Sequence, residues 1–82
     1  MSRTTLTEGQ TEKIAELGAL VRELRAIRGW SVQALAERAD VSPQTIYKIE
    51  GGDMVRPGVT TLSKVASVFD ATAADLLDEV GL

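Results

Sequence analysis

The chain has 82 residues, 44% of them hydrophobic and 26% charged, and a formal net charge of −3. That length gives one small domain with a modest core and no room for an enzyme's deep pocket beside it. It contains no cysteine and no histidine, which excludes disulfides and thiolate metal sites and removes the commonest general base and metal ligand.

Residues 1–6 read as a mobile arm, and residues 7–82 as one folded unit. Thr7 and Gln10 have the spacing of a capping box that opens a first helix. Ile14, Leu17, Val21, Leu24 and Ile27 recur every three or four residues as one apolar stripe. The helix is expected to end near Arg28, with Gly29 as its terminating residue. Trp30 is expected to fill the corner before a second helix, which Ser31 caps and which covers about 32–39. Asp40 then turns the chain, tolerating positive φ better than most residues. Ser42 and Pro43 restart it as cap and first residue of a third helix over 43–50. Gly51 and Gly52 stop that helix, and a loop with Arg56 and Pro57 leads to a fourth over 59–69. Thr72 and Asp75 form a second capping box before a fifth helix containing Leu76, Leu77 and Val80. No repeat or low-complexity tract interrupts this series. The fold class is all-α: a compact bundle of five short helices, with Leu24, Leu35, Ala36, Ile46, Ile49, Leu62, Val65 and Phe69 sharing one core.

The segment 31–50 carries the strongest signal. Leu35, Ala36 and Ala39 face inward from one short helix, Ile46 and Ile49 from the next, and Ala36 is small where two steeply crossing helices approach. This is the spacing of a helix-turn-helix, whose second helix reads DNA in the major groove. The negative charge opposes phosphate binding, but it is unevenly placed. Residues 22–56 carry a net of +1 and residues 57–82 a net of −3. Asp75, Asp78 and Glu79 read as a solvated helix face rather than a metal site, and no cofactor is expected.

The pieces VRELRAIRGWS, ALAERADVS, TIYKIEGG, RP and TLSKVASVFDATAADLL, in this order and spacing, resemble the Xre/Cro/cI helix-turn-helix family, the lambda-repressor-like DNA-binding domain. The resemblance runs from Leu17 to about Leu77. It implies a five-helix bundle that binds an operator in double-stranded DNA, usually as a homodimer. It places base contacts at Pro43, Gln44, Tyr47 and Lys48, with Thr45 nearby. Gln suits adenine, Lys suits guanine, and Thr45 offers a hydroxyl and a methyl; Pro43 offers no hydrogen bond to a base. Phosphate contacts fall on Ser31, Gln33 and Arg56, while Val32 and Asp53 stand where many members carry Gln and Lys. Arg25 and Glu50 match a structural pair that bridges the first and third helices.

The reading is therefore a sequence-specific transcriptional regulator, a Cro-like or small phage-type repressor, in the cytoplasm of a bacterial cell. The chain shows no apolar run near the ~20 residues of a membrane span, and MSRTTLTEGQ has no apolar signal core. A dimer interface is expected at 57–59 and 71–82, where Leu76, Leu77, Val80 and Leu82 offer apolar surface. The alternative is a protein-interaction module, such as an antitoxin-type partner, that docks a protein at its acidic C-terminal helix. No enzyme motif is present: there is neither a nucleophile elbow nor a phosphate loop.

Overall fold

Ile14, Leu17 and Val21 are buried along one side of a long amphipathic helix, and the other helices wrap that side. The structure, a computed structural model, describes residues 8–53 and 58–81. The expected arm at 1–6, Thr7 of the expected capping box, Arg56, Pro57 and Leu82 lie outside the described residues. The helices are α1 (Glu8–Ile27), α2 (Val32–Ala39), α3 (Pro43–Gly51), α4 (Val59–Val68) and α5 (Ala73–Val80), with no strand among the described residues.

Local chemistry sets the boundaries. α1 ends into Gly29 at φ 67°, a left-handed position that glycine adopts without a steric penalty. The Ser31 hydroxyl caps α2 by accepting from the Ala34 N–H at 3.0 Å. Thr72 and Asp75 satisfy each other's backbone N–H groups at 2.9 and 3.1 Å, a complete capping box on α5. Phe69 lies just past α4 as its cap rather than inside it. Asp70 then takes φ 58° to make the α4–α5 turn, a second left-handed aspartate that no sequence pattern marks.

The interior forms two clusters rather than one. The first joins Val21, Leu35, Ala36, Ala39, Ile46, Ile49, Val65 and Phe69. The second joins Leu17, Leu62, Ala66, Leu76 and Val80. Leu62 therefore belongs with α5, while half-buried Leu24 packs against both clusters. α1 is long enough to serve each in turn.

Two expectations about apolar surface are corrected. Ile27 is 73% exposed. Each step of three residues rotates a helix back by about 60°, so two such steps from Val21 through Leu24 carry Ile27 off the buried face. Leu76 and Val80 are only 4% and 7% exposed. The second cluster uses them up, so they are not spare surface for a dimer interface.

Candidate nucleic-acid interface

The turn between α2 and α3 is specified residue by residue. Asp40 adopts φ 59°, ψ 47°, and the Val41 N–H then donates to Ala36 O at 3.0 Å. Ser42 is extended, and its hydroxyl accepts from the Thr45 N–H at 3.2 Å. Pro43 follows at the first helical position, where its fixed φ suits the helix and its missing N–H costs nothing. Each side-chain cap contributes about 1 kcal/mol. Ala36, 1% exposed, shares its cluster with Ile46 and Ile49. A larger side chain there would hold α2 and α3 apart.

α1 fixes α3 from the other side through a residue that the helical pattern does not mark. Gly18 is buried within α1, and a Cβ there would press on Ile49 O and lie 2.9 Å from Glu50 O. The end of α3 therefore rests on bare α1 backbone. A glycine inside an inward-facing stripe, next to Leu17, is the signal that the sequence offers.

Arg25 and Glu50 complete the clamp. The Arg25 Nε and one Nη donate to the two Glu50 carboxylate oxygens at 2.8 and 3.0 Å, and its other Nη donates to Trp30 O at 2.8 Å. The pair is nearly dry, with side chains 18% and 7% exposed. The hydrogen bond to Glu50 holds the Arg25 guanidinium above its ordinary range against the opposing cost of burial. Arg22 approaches the same carboxylate at 4.0 Å from the solvent side. Two cations thus cover the one buried anion of α3. This pair ties α1 to α3 and to the start of α2 in fixed positions.

With Ile46 and Ile49 turned inward, Gln44, Tyr47 and Lys48 fall within about 100° of one another on the opposite side of α3. All three are exposed, Tyr47 by 63%. Pro43 is exposed on one flank and Thr45 is half-buried on the other. The Thr45 hydroxyl is 2.9 Å from that of Ser42, so it is tied to the cap. Ser31 and Gln33 are exposed at the start of α2, where unpaired backbone N–H groups favour an anion. Val32 is half-buried and packs against the first cluster. Asp53 is exposed beyond α3. The acidic α5 packs on α1 and α4. Lys64 of α4 reaches the turn, 3.5 Å from Asp40 O.

Trp30 is half-buried against the first cluster. It stacks on Phe69 with ring centroids 5.9 Å apart, so it joins the end of α4 as well as the corner between α1 and α2. Among the described residues no group of carboxylates is arranged to hold a metal ion, and no helix is long and apolar enough to cross a membrane.

Comparison with known proteins agrees with this geometry. The family described as "Helix-turn-helix domain" matches residues 16–80. The chain is 33% identical over 63 residues to the HTH-type transcriptional regulator SinR of Bacillus subtilis, covering 77% of this chain and 57% of that protein. It is 32% identical over 62 residues to the HTH-type transcriptional regulator SlrR of the same organism, covering 76% of this chain and 41% of that one. The chain thus spans about half the length of these curated relatives. Among solved structures, the clp gene regulator ClgR from Corynebacterium glutamicum superposes with a TM-score of 0.70 at 32% identity, covering 83% of this chain and 71% of that one.

Proposed function

The chain belongs to the helix-turn-helix domain family, and we propose that it is a sequence-specific double-stranded DNA-binding transcriptional regulator that inserts α3 into the major groove. The observation that carries this is the outward face of α3. Gln44, Tyr47 and Lys48 project together from a helix whose pose is fixed by the Asp40–Ser42 turn, by Gly18 and by the Arg25–Glu50 pair. Gln44 pairs with adenine and Lys48 with guanine, Thr45 and Tyr47 pack against the adjoining base or sugar, and Pro43 makes apolar contact. The start of α2, with Ser31 and Gln33, and Arg56 beyond α3 hold the phosphates and set the register.

The chain acts as a repressor in the bacterial cytoplasm by occupying its site. One α3 spans too few base pairs for a useful operator, so two copies read half-sites about one helical turn apart. The relatives named as transcriptional regulators support the role, and the packing of acidic α5 on α1 and α4 supports duplex binding by a chain of net charge −3.

Selection of bound fragments from random duplex DNA tests the reading and yields the site and its symmetry. On that site Gln44→Ala is expected to cost about 1–3 kcal/mol and relax preference at one base pair. Arg56→Ala should weaken cognate and random duplex alike and flatten the salt slope by about 1. No enrichment, or an equal loss on every sequence for Gln44→Ala, would refute α3 as the reader.

A further inference from the structure

The clamp on Glu50 holds one cation more than the carboxylate needs. Arg25 alone donates to both carboxylate oxygens, at 2.8 and 3.0 Å. Arg22, about one turn earlier on α1, stands 4.0 Å away on the solvent side, with its side chain 63% exposed. At that distance the two make no hydrogen bond, and so exposed an ion pair contributes little to stability. Arg22 makes no other ion pair among the described residues. Two cations against one anion leave this cluster with a net charge of +1.

Helical geometry puts that charge at the rim of the reading face. Around α3, starting from Glu50, the residues met in turn are Pro43, Tyr47, Gln44 and Lys48, at roughly 20, 60, 120 and 160°. α1 therefore borders the outward face of α3 along its Pro43–Tyr47 edge. On α1, Arg22 lies about 40° round from Gly18, on which the end of α3 rests. Exposed Ala15, Ala26 and Ala19 continue this quarter at about 60, 80 and 100°. From Ala15 to Ala26, Arg22 is the one side chain there longer than a methyl group. The nearby anions are Glu23, which leaves α1 about 100° round from Arg22, and Asp53, beside Gly51 past the end of α3. Neither pairs with Arg22.

A helix with its side chains is about 10–12 Å across, and the major groove is about 12 Å wide. α3 seated there fills the groove from wall to wall, and the walls are the phosphate strands. Groups at the edges of the reading face then meet phosphate rather than base. We propose that Arg22 is a DNA-backbone ligand, binding a phosphate of the strand that passes the α1 edge of α3; the contact rests on the reading of α3 as the groove helix. The guanidinium fork matches two phosphate oxygens. Glu50 keeps Arg22 beside this edge before DNA arrives, and the alanines let the strand come close. Arg25 retains both bonds to Glu50 when Arg22 turns to the phosphate, so the pose of α3 is unchanged.

The test compares the intact protein with Arg22→Gln, which removes the charge, and Arg22→Lys, which keeps it, on the selected duplex and on random duplex. Each phosphate contact contributes about 0.9 to the slope of log affinity against log salt. Arg22→Gln should weaken both duplexes alike and flatten the slope by about that amount. Between about 50 and 200 mM salt the parent should then lose about 3.5-fold more affinity than this variant. Arg22→Lys should keep the parent slope. Both variants should keep the parent's urea midpoint, because Arg25 still satisfies Glu50. Uncharged methylphosphonate linkages, placed one at a time in the selected duplex, locate the contact: one of them should weaken the parent and Arg22→Lys but not Arg22→Gln. An unchanged slope in Arg22→Gln, or no linkage whose effect that variant abolishes, would overturn the proposal. Affinity lost at unchanged slope with a lowered urea midpoint would make Arg22 a structural partner of Glu50 alone. A parent that binds no duplex would sink the reading of α3 and this contact with it, whereas Gln44-dependent binding with an unchanged slope in Arg22→Gln would sink the contact alone.

Discussion

Replacing Gly18 with alanine sets two effects of known size against each other. In an isolated helix the change would add about 1 kcal/mol, because glycine is the costlier residue in a helix interior. Here the new Cβ would lie 2.9 Å from Glu50 O and 3.1 Å from the Glu50 carbonyl carbon, where ordinary contacts begin at 3.4 Å, and closer still to Ile49 O. These are backbone atoms of the last turn of α3, so no side-chain rotation relieves them. α3 must withdraw from α1 by at least about half an ångström, which loosens the packing of Ile46 and Ile49. Overpacking costs about 1–3 kcal/mol, and a backbone clash belongs at the upper end. Subtracting the propensity gain leaves a destabilisation of about 2 kcal/mol. For a domain of this size that lowers Tm by about 8–16 °C. Thermal and urea unfolding followed by far-ultraviolet circular dichroism measure it. An unchanged or raised Tm would refute the argument that bare α1 backbone is what seats α3.

Three further outcomes are expected on the same grounds. Ala36→Leu should cost about 1–3 kcal/mol by prising α2 from α3, read as a lower urea midpoint at unchanged slope. Arg25→Ala should cost about 3 kcal/mol by stranding the buried Glu50 carboxylate, whereas Arg25→Met with Glu50→Leu should recover most of that loss; the same denaturation curves check both, and Arg25→Met and Glu50→Leu alone complete the double-mutant cycle. Asp40→Val should lose about 1–2 kcal/mol, because a β-branched residue resists the left-handed conformation, while Asp40→Gly should stay within about 0.5 kcal/mol of the parent.

Features decided by neighbours in the chain are legible in the sequence. Ser31, Ser42 with Pro43, and Thr72 with Asp75 announce helix starts because a cap acts over three residues. Asp40 announces the turn because few side chains suit its conformation. Features decided by distant partners are not legible there. Gly18 matters because of carbonyls more than thirty residues away. Ile27 keeps the spacing of a buried stripe although successive steps of three rotate it to solvent. Leu76 and Val80 look like surplus apolar surface in the sequence, yet Leu17 and Leu62 pack on them. The Trp30–Phe69 stack depends on which way Trp30 turns, which no periodicity records. The Arg25–Glu50 contact is visible through family resemblance, since nothing in a separation of 25 residues implies it.

The division of the interior also bears on how the chain comes apart. α5 is held through the second cluster, on α1 and α4, while the α2–α3 unit is held through the first, by the Arg25–Glu50 tie and by α1. Proteins open in units that follow such seams. The inexpensive excursion for this chain is release of α5, exposing Leu76 and Val80 while the reading helix stays seated. Backbone amides of α5 should then exchange with solvent sooner than those of Ile46 and Ile49. A protease would cut first near the α4–α5 turn, leaving behind the part that holds α3 in place.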